Sequence, residues 1–461
     1  MSAIPAVRPV AVVMAAGLGT RMRSRLPKVL HLVCGRPMLG YVLDVASAVT
    51  AARPIVVVSP ATDAIREVIG EAAVYALQGV PRGTADAVRA ALAVVPADAT
   101  EVVVLNGDVP LMGEAVVSAL VTARREHGAA VALVTVDVPV PGGLGRVVRD
   151  AAGAVTRVVE AKEATPEERA ITEINAGLYA FDAAWLRRRL PAIEASPLTG
   201  EFYLPLLVEL AAADGAGVVA HRVPDDGTLM GVNDRVQLAA AESEVHDRLV
   251  RAHQRAGVTI TDPASTWLDA SVELAEDVLL EPNVVLRGRT RVGRDTVIRT
   301  GSQLFDSQVG DRCVVWASVL ESSSVGDDVR IGPFSHLRPG ARIGAGAELG
   351  NFAEVKGSSI GAGSKQHHFS YIGDATVGEG VNIGAGTITA NYDGKRKHHT
   401  TIGDHAFIGS DTILRAPITV GEGGVTGAGS VVTHDVAPGQ TVIGVPAHPH
   451  VPRAERAEGD A

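Results

Sequence analysis

The chain of 461 residues carries a formal net charge of −10, and 46% of its residues are hydrophobic, enough for substantial cores. Aromatic residues make up only 3%, which argues against a stacking platform for single-stranded nucleic acid. The negative charge argues against nucleic acid as the main partner, because phosphate binding needs a basic surface. Cys34 and Cys313 are the only cysteines, too few for a disulfide framework and without metal-ligand spacing.

The sequence has no feature typical of export or of a membrane span. Its start lacks a basic segment followed by an apolar stretch, the pattern of a signal peptide. No apolar run reaches the roughly 18 residues that a membrane helix needs. We therefore expect a soluble, cytoplasmic protein.

Strands and helices alternate in the first part of the chain. Residues 84–95 carry apolar side chains on one helical face. Buried strands are predicted at residues 10–14, 55–58 and 102–105 and, with antiparallel character, at 146–148, 155–160 and 173–181. This alternation predicts an α/β domain of Rossmann-like type with a mixed sheet, and ligands of such sheets bind at the carboxyl ends of the strands.

A glycine-rich turn follows the first predicted strand. It reads Ala15-Ala16-Gly17-Leu18-Gly19-Thr20-Arg21-Met22. Backbone N–H groups of such a turn can point at an anion. Arg21 and Lys28 add two cations, which suits a triphosphate whose pyrophosphate departs, whereas the third glycine of a dinucleotide fingerprint is missing.

A candidate metal ligand lies at the end of another predicted strand, in Asn106-Gly107-Asp108. Asp108 suits Mg²⁺, which prefers one or two protein oxygens beside water and phosphate oxygens. A plain turn at Gly107-Asp108 and a solvated charge at Lys28 are the structural alternatives.

A long helix is predicted after Gly231-Val232-Asn233-Asp234. Asn233 or Asp234 can cap its start and Gly257 can end it. At 1.5 Å per residue such a helix is on the order of 30 Å long, enough to separate two domains.

Beyond this helix an apolar residue returns at every sixth position. The returns over residues 319–355 are Val319, Val325, Ile331, Leu337, Ile343, Leu349 and Val355. The signals begin weakly near Ala264, strengthen after Val309 and continue to Val420. A period of six fits neither a helix nor an ordinary strand. It is the hexapeptide repeat of a parallel β-helix, in which each short strand contributes one inward aliphatic. The loop of residues 391–400, which carries Lys395, Arg396 and Lys397, interrupts the period.

A set of polar residues falls on outward positions of successive coils. Its members are Arg338, Lys356, His368, Tyr371, Asn382, Asn391 and Tyr392. Histidine titrates in the range that suits a general base. Arginine and lysine can hold an anionic group, whereas a solvated side chain is the alternative for each residue taken alone.

Several ordered motifs resemble the sugar-1-phosphate nucleotidylyltransferases. They are the Ala-Ala-Gly-x-Gly-Thr-Arg-Met turn with Pro27-Lys28, Gly83-Thr84-Ala85, Gly107-Asp108-Val109-Pro110-Leu111, Glu173-Ile174-Asn175-Ala176-Gly177 and Gly231-Val232-Asn233-Asp234. Joined to the β-helix, they make the chain similar to the bifunctional N-acetylglucosamine-1-phosphate uridylyltransferase/glucosamine-1-phosphate acetyltransferases over almost all of residues 10–446. That family makes UDP-N-acetylglucosamine for peptidoglycan and lipopolysaccharide precursors. It first acetylates glucosamine-1-phosphate with acetyl-CoA and then transfers uridylyl from UTP to N-acetylglucosamine-1-phosphate.

The resemblance implies a set of residues for each reaction. For UTP and UDP-N-acetylglucosamine it implies Met14, Ala15, Ala16, Gly17, Arg21, Lys28, Gln78, Gly83, Thr84, Asn106, Gly107, Asp108, Gly145, Glu160, Asn175 and Asn233, with Asp108 and Asn233 on Mg²⁺. For glucosamine-1-phosphate it implies Arg338, Lys356, Tyr371 and Asn382, with His368, three residues before Tyr371, as the catalytic base. For acetyl-CoA it implies Ala385, Asn391, Tyr392, Ser410 and Ala428. A homotrimer is also implied, with the acetyl site between neighbouring chains.

The chain departs from the family pattern at three places. Pro205-Leu206 replaces the usual Thr-Asp, which bears on sugar preference. His367-His368 doubles a histidine that is usually single, and spacing to Tyr371 selects His368. The arginine usual before Pro446 is absent, which leaves the cations near Lys397 as an alternative partner for the CoA phosphates.

Two rival functions are weighed against the bifunctional enzyme. One is a nucleotidylyltransferase for another sugar, whose β-helix serves assembly only; such relatives lack the His-x-x-Tyr and Asn-Tyr-Asp-Gly motifs. The other is a non-catalytic subunit, which would have lost Lys28, Asp108 or His368. We therefore expect a uridylyltransferase domain at 1–231, a helical linker at 232–257, a left-handed β-helix acetyltransferase domain at 258–446 and a disordered tail at 447–461.

Overall fold

The computed structural model describes residues 8–450, which divide into two compact units between Val245 and His246. The division falls within a helix that spans Arg235–Arg255. Asp234 caps this helix, because its Oδ1 accepts hydrogen bonds from the backbone N–H of Val236 (3.0 Å) and of Gln237 (2.9 Å). Within residues 8–450 no helix combines the length and apolar composition that a membrane crossing requires.

The first unit is built around a mixed sheet. Its strands in chain order are β1 (Pro9–Met14), β2 (Leu32–Val33), β3 (Arg36–Pro37), β4 (Ile55–Val58), β5 (Val74–Leu77), β6 (Glu101–Asn106), β7 (Val131–Asp137), β8 (Arg146–Arg149), β9 (Val155–Val159), β10 (Glu173–Asp182) and β11 (Val218–Val223). The sheet runs β11-β7-β10-β6-β1-β4-β5. Off this path β8 pairs with β10 and β9 pairs with β8, and β2 and β3 form a separate pair. Only β10 in this main path is antiparallel to its neighbours β6 and β7. The predicted mixed sheet is thus confirmed.

Helices cover both faces of this sheet. In chain order the helices are α1 (Met38–Thr50), α2 (Ala64–Ile69), α3 (Thr84–Leu92), α4 (Glu114–Glu126), α5 (Pro166–Arg169), α6 (Ala183–Arg189) and α7 (Leu206–Ala213), and α8 (Arg235–Arg255) spans the division between the units. Successive residues of β1 point to opposite faces. Val12 belongs to the apolar cluster that includes Val88 of α3, and Val13 to the cluster that includes Leu39 of α1. Burial on both faces explains why the central strands are continuous apolar runs.

The second unit is a parallel β-helix with three stacked sheets, here named faces A, B and C. Face A contains Thr259–Ile260, Leu279–Leu280, Val297–Ile298, Val314–Val315, Arg330–Ile331, Glu348–Leu349, Lys365–Gln366, Asn382–Ile383, Phe407–Ile408, Val425–Thr426 and Thr441–Gly444, plus Ala447–Pro449. Face B contains Trp267–Leu268, Val285–Arg287, Gln303–Phe305, Val319–Glu321, His336–Leu337, Ala353–Lys356, Ser370–Gly373, Ile388–Ala390, Ile413–Arg415 and Val431–Val432. Face C contains Glu273–Leu274, Arg291–Val292, Gln308–Val309, Ser324–Val325, Arg342–Ile343, Ser359–Ile360, Ala375–Val377, Thr400–Ile402 and Ile418–Val420. The predicted left-handed β-helix is confirmed.

The inward column of the β-helix corrects one predicted core position. Val325, Ile331 and Leu337 are buried as the hexad predicts, but Val319 is only half-buried. Leu320 fills the core instead, and its register partners are Leu304 and Leu337. The corner before Val325 is one residue shorter than the hexad requires, and the period alone does not show this.

We expect Leu320→Ala to destabilise the β-helix far more than Val319→Ala. Removal of a fully buried leucine costs about 2–5 kcal/mol because a cavity remains, whereas truncation of a partly exposed valine costs about 1 kcal/mol or less. Guanidinium unfolding of both variants measures the difference. A larger loss from Val319→Ala would contradict the observed register.

The C-terminal boundary also needs correction. Ala447–Pro449 pairs antiparallel with Thr441–Gly444, and His450 N donates a hydrogen bond to Thr441 O (2.9 Å). The prediction of disorder from residue 447 is therefore wrong for this strand, which gains backbone partners by folding back on the edge of face A. The remainder of that prediction, from residue 451, lies outside the described residues.

Candidate active sites

The glycine-rich turn lies at the carboxyl edge of the sheet, directly after β1. Ala15 N donates to Val57 O (3.0 Å), and Ser59 Oγ donates to Ala16 O (3.1 Å), so the end of β4 holds the turn. Gly19 has φ of 58°, and a Cβ added there would lie 2.6 Å from Lys28 Cβ. Glycine is therefore required at this position for Lys28 to pass beside the turn.

A cavity of about 410 Å³ opens beside this turn and is lined by most of the predicted nucleotide residues. These are Met14, Ala15, Ala16, Gly17, Lys28, Gln78, Gly83, Thr84, Asn106 and Asp108. Thr84 is fixed at the start of α3, where its Oγ1 accepts from Leu204 N (2.9 Å). The cavity also takes in Pro81, Glu201 and Tyr203, which the sequence did not single out as site residues.

An adjoining cavity of about 250 Å³ contains the predicted sugar-side residues. Gly145, Glu160, Asn175 and Asn233 line it, and Met14, Thr84, Asn106, Asp108 and Glu160 line both cavities. Asn175 Nδ2 donates to the hydroxyl of Tyr179 (2.6 Å), a lining residue that sequence analysis missed. Tyr179 lies four residues after Asn175 on the same strand, and residues an even number apart on a strand share a face. This spacing was the signal in the sequence that could have identified Tyr179. Pro205, one of the departures from the family pattern, also lines this cavity.

Two predicted residues line neither cavity. Arg21 lies exposed in a short 3-10 helix, Thr20–Met22. Gly107 N donates to Met14 O (3.0 Å), and a Cβ on Gly107 would approach that oxygen to 2.9 Å. The structure thus gives Gly107 a packing role between the ends of β1 and β6.

Lys28 brings the two predicted metal ligands together. Its Nζ forms an ion pair with Asp108 Oδ2 and donates to Asn233 Oδ1 (2.9 Å). Over residues 8–450 no group of three or more His, Cys, Asp or Glu side chains is arranged for a metal. Mg²⁺ needs only one or two protein oxygens when water and phosphate supply the rest, and these two oxygens already converge on a common cation. The residues therefore fit Mg²⁺.

Glu160 has an unusual electrostatic environment between the two cavities. Burial raises the pKa of its carboxyl, and the nearby Glu163 and Glu201 raise it further. The carboxyl therefore keeps its proton to a higher pH than a solvated glutamate, and the protonated form can donate a hydrogen bond. Such a group can recognise a sugar hydroxyl as donor or as acceptor.

In the β-helix, the predicted acyl-transfer residues are distributed around one corner. Tyr371 and Lys356 belong to strands of face B, and Arg338 directly follows the strand His336–Leu337 of that face. Asn382 belongs to face A. His368 lies in the corner that joins Lys365–Gln366 of face A to Ser370–Gly373 of face B. One chain thus presents Asn382 and the two cations on different faces.

Three of the residues predicted to bind acetyl-CoA lie at this corner on the coils that follow. The strands before and after it keep a constant register from coil to coil, because Lys365 pairs with Asn382 and Tyr371 with Ile388. The two following coils preserve this correspondence. In consequence His368, Ala385, Ser410 and Ala428 occupy equivalent corner positions on successive coils.

The two adjacent histidines differ in their contacts. His367 Nε2 lies 2.8 Å from Glu348 Oε2 and forms an ion pair when protonated. The His368 side chain is exposed and forms no hydrogen bond within residues 8–450, although the His368 backbone carbonyl accepts from Ser370 Oγ (3.0 Å); its ring approaches the His367 ring edge-on at 6.5 Å between centroids. His368 is therefore the histidine available to take a proton from a substrate.

Three cations, Arg338, Lys356 and Lys397, lie close together at the ends of the strands of face B. Lys397 and, second, Arg338 lower the pKa of Lys356, as expected where like charges lie close together. Lys397 Nζ lies 3.7 Å from Asp374 Oδ2, and Arg338 Nη1 donates to Glu354 Oε1 (2.9 Å). Such a cluster favours a dianionic phosphate. The sequence suggested Lys397 only as part of a basic loop and as an alternative partner for the CoA phosphates, not as a neighbour of Lys356.

The two residues at the start of that loop are positioned differently. Asn391 is buried, and its Nδ2 donates to Asp374 Oδ2 (2.5 Å). Tyr392 is exposed, with its hydroxyl donating to Gly394 O (2.8 Å). Asn391 therefore anchors the loop, and Tyr392 presents a ring at the surface.

Comparison with known proteins gives similarities over both units. Two family descriptions match: "MobA-like NTP transferase domain" over residues 11–180 and "Bacterial transferase hexapeptide (six repeats)" over residues 322–357. The chain is 46% identical over 433 residues to "Bifunctional protein GlmU" of Heliobacterium modesticaldum, with 94% of each chain covered. It is 44% identical to the protein of that name from Mycolicibacterium vanbaalenii, covering 94% of this chain and 89% of the relative. It is 43% identical to the protein of that name from Kineococcus radiotolerans, covering 96% of this chain and 91% of the relative.

Proposed function

The chain belongs to the GlmU family of bifunctional proteins, and on that premise we propose that it makes UDP-N-acetylglucosamine by two transfers at separate sites. The β-helix acetylates glucosamine-1-phosphate with acetyl-CoA. The α/β unit then joins N-acetylglucosamine-1-phosphate to UTP with release of pyrophosphate. The product is a precursor for peptidoglycan and other cell-envelope polymers. The observation that best supports the proposal is the pair of adjoining cavities that share Asp108 and Glu160.

The uridylyl transfer requires positioning and charge neutralisation. A phosphate oxygen of N-acetylglucosamine-1-phosphate attacks the α-phosphorus of UTP, the new P–O bond forms in line with the bond that breaks, and pyrophosphate leaves. The turn at Ala15–Gly17 and Lys28 hold the nucleotide phosphates in this scheme, and Glu160 and Asn175 orient the sugar. Asp108 and Asn233 would hold Mg²⁺, which neutralises phosphate charge when bound. No protein nucleophile is needed for such a transfer.

The acetyl transfer requires a base and an anion site. His368 takes a proton from the ammonium group of glucosamine-1-phosphate, and the free amine attacks the thioester carbonyl of acetyl-CoA. The C–S bond breaks, CoA leaves as a thiol, and the amide forms. Arg338, Lys356 and Lys397 hold the phosphate in this scheme. The corner column of Ala385, Ser410 and Ala428 supports acetyl-CoA along the coils that follow His368, and Tyr392 and Asn391 of the inserted loop are further proposed contacts of acetyl-CoA.

We also propose that the acetyl site is completed between chains of a homotrimer. Asn382 and the cations Arg338 and Lys356 lie on different faces of one β-helix, so a single chain does not enclose an acceptor between them. A closed threefold assembly would bring face A of one chain against face B of the next. A cytoplasmic location is proposed as well, because UTP and acetyl-CoA are cytoplasmic metabolites.

The two activities should separate when the chain is divided between Val245 and His246. Each side contains its own apolar core, and the first fragment retains Asn233. Residues 1–245 are expected to keep uridylyl transfer, and residues 246–461 to keep acetyl transfer at three times the fragment mass in light scattering. A folded C-terminal fragment that is monomeric and fully active would contradict the trimer. A folded trimer without acetyl transfer would contradict the separation of the sites.

Omission assays test the proposed function directly. The purified protein is incubated with glucosamine-1-phosphate, acetyl-CoA, UTP and Mg²⁺, and products are separated by chromatography. UDP-N-acetylglucosamine and pyrophosphate are expected, N-acetylglucosamine-1-phosphate should accumulate when UTP is omitted, and a chelator should stop only the second step. Absence of UDP-sugar from the complete mixture would refute the proposal.

A further inference from the structure

Gln78, which lines the proposed nucleotide cavity, has a side-chain amide whose orientation is fixed by its partners. The residue is only 4% exposed. Its Nε2 donates to Asp86 Oδ2 (2.8 Å) and to Gly83 O (3.3 Å). Because a carboxylate and a carbonyl can only accept, the NH₂ group must face them. The oxygen Oε1 is then the group that Gln78 can offer to a ligand.

The two carboxylate oxygens of Asp86 have different partners. Oδ1 lies 3.5 Å from Arg82 Nη2 and 3.5 Å from Arg89 Nη1, which leaves Oδ2 for Gln78. The carboxylate is 8% exposed. It is therefore held by two guanidinium groups on one side and bonded to a single amide on the other.

The two arginines are themselves restrained. Their guanidinium carbons lie over the ring of Phe202, at 5.6 Å for Arg82 and 5.0 Å for Arg89. The Phe202 backbone is bonded to the same region, since its N donates to Arg82 O (2.8 Å) and its O accepts from Ala85 N (2.9 Å). Phe202 thus restrains both arginines that pair with Asp86.

We infer that Asp86 is a positioning residue that sets the base preference of the nucleotide cavity through Gln78. The inference rests on the proposed uridylyl transfer. An acceptor fixed at Gln78 Oε1 suits the N3–H donor of uracil, whereas cytosine presents a lone pair at N3. A site built to hydrogen-bond one base rejects the base that leaves its polar group unpaired. Asp86 thus selects a uridine nucleotide without touching it.

The variant Asp86→Asn tests this inference because it is isosteric and can reverse the Gln78 amide. The amide oxygen at position 86 is attracted to Arg82 and Arg89, so its NH₂ group faces Gln78. Gln78 then turns Oε1 toward position 86 and Nε2 toward the cavity, and it gives up only the longer bond to Gly83 O (3.3 Å). We expect kcat/KM for UTP to fall about tenfold, mainly through KM. The ratio of kcat/KM for UTP to that for CTP should fall by about tenfold or more.

Matched variants separate positioning from a general structural effect. Asp44→Asn removes a carboxylate that pairs with Arg36 on the surface of the same unit. It should change neither kcat/KM for UTP nor the ratio of kcat/KM for UTP to that for CTP. In the Gln78→Ala background, Asp86→Asn should have no further effect on the UTP to CTP ratio, because the residue through which it acts is gone. Asp86→Glu keeps a group that can only accept, and it should keep the ratio near that of the wild type.

The outcomes distinguish this inference from the proposed function. Wild-type transfer from UTP together with an unchanged ratio in Asp86→Asn would overturn the inference alone. Failure of the wild type to use UTP would overturn both. If Asp86→Asn does not fold, as judged by thermal unfolding of the first unit, the Asp86→Glu ratio decides: a retained preference for UTP supports positioning, and a tenfold loss overturns it.

Discussion

Asp108→Ala is expected to abolish uridylyl transfer and to leave acetyl transfer at the wild-type rate. The Asp108 carboxylate supplies one of the two oxygens that converge at Lys28 Nζ, and Asp108 lines both cavities. Loss of a metal ligand that helps to neutralise a triphosphate removes several kcal/mol of transition-state stabilisation, which corresponds to about 10³-fold or more in rate. Pyrophosphate release from UTP and N-acetylglucosamine-1-phosphate is the measurement, at saturating Mg²⁺.

Asp98→Ala is the matched control for this variant. Asp98 pairs with Arg8 at the surface of the same unit, and both side chains are more than half exposed. Exposed pairs of this kind contribute about 0–1 kcal/mol, so the control should retain uridylyl transfer. A near-wild-type rate in Asp108→Ala would refute the proposed metal ligand, whereas equal losses in both variants would indicate instability of the unit.

His368→Ala is expected to lower acetyl transfer by about 10²–10⁴-fold, the usual contribution of general-base assistance. His367→Ala serves as the control and should have a mild effect, because the His367 ring is bonded to Glu348 while the His368 ring has no hydrogen bond within the described range. Thiol release from acetyl-CoA in the presence of glucosamine-1-phosphate reports the rate. Uridylyl transfer measured on the same samples should be unchanged in both variants. A larger loss in His367→Ala would show that the other histidine is the base.

The parts of the fold that the sequence predicted are those that repeat or that bury one face. Inward positions such as Ile331 and Leu337 must be apolar on every coil, so their spacing is visible in the sequence. Leu320 escaped detection because the length of one corner depends on local backbone conformation, which the period does not encode. Likewise the strand Ala447–Pro449 has little apolar pattern, since it forms edge hydrogen bonds and only its Ala447 packs against the core.

The candidate site was predicted less evenly than the fold. Lys28, Asp108 and Asn233 are far apart in sequence. The ends of the predicted strands suggested a common site for Lys28 and Asp108, whereas only the family resemblance added Asn233; the structure brings the three together. Asp86 was missed because the helix that carries it was analysed only for its apolar face. The proximity of Lys397 to Lys356 depends on the path of an inserted loop, which no periodicity describes.

The rival functions are less consistent with these findings. A relative with a β-helix used for assembly alone does not require His368 in a corner column with Ala385 and Ser410 or a cluster of three cations. A non-catalytic subunit does not require Lys28, Asp108 and Asn233 to converge between two cavities. The similarity to bifunctional relatives also covers both units and not one of them.

The central claim is that two independent sites act in sequence through a diffusible sugar phosphate, and mixing two inactive variants tests it most directly. Asp108→Ala and His368→Ala are purified separately, and each is supplied with glucosamine-1-phosphate, acetyl-CoA, UTP and Mg²⁺. Neither alone should form appreciable UDP-N-acetylglucosamine, whereas a mixture should form it at a substantial fraction of the wild-type rate, since one variant supplies the acetylated sugar phosphate that the other consumes. A mixture that remains inactive, although each variant retains its single activity, would contradict the claim.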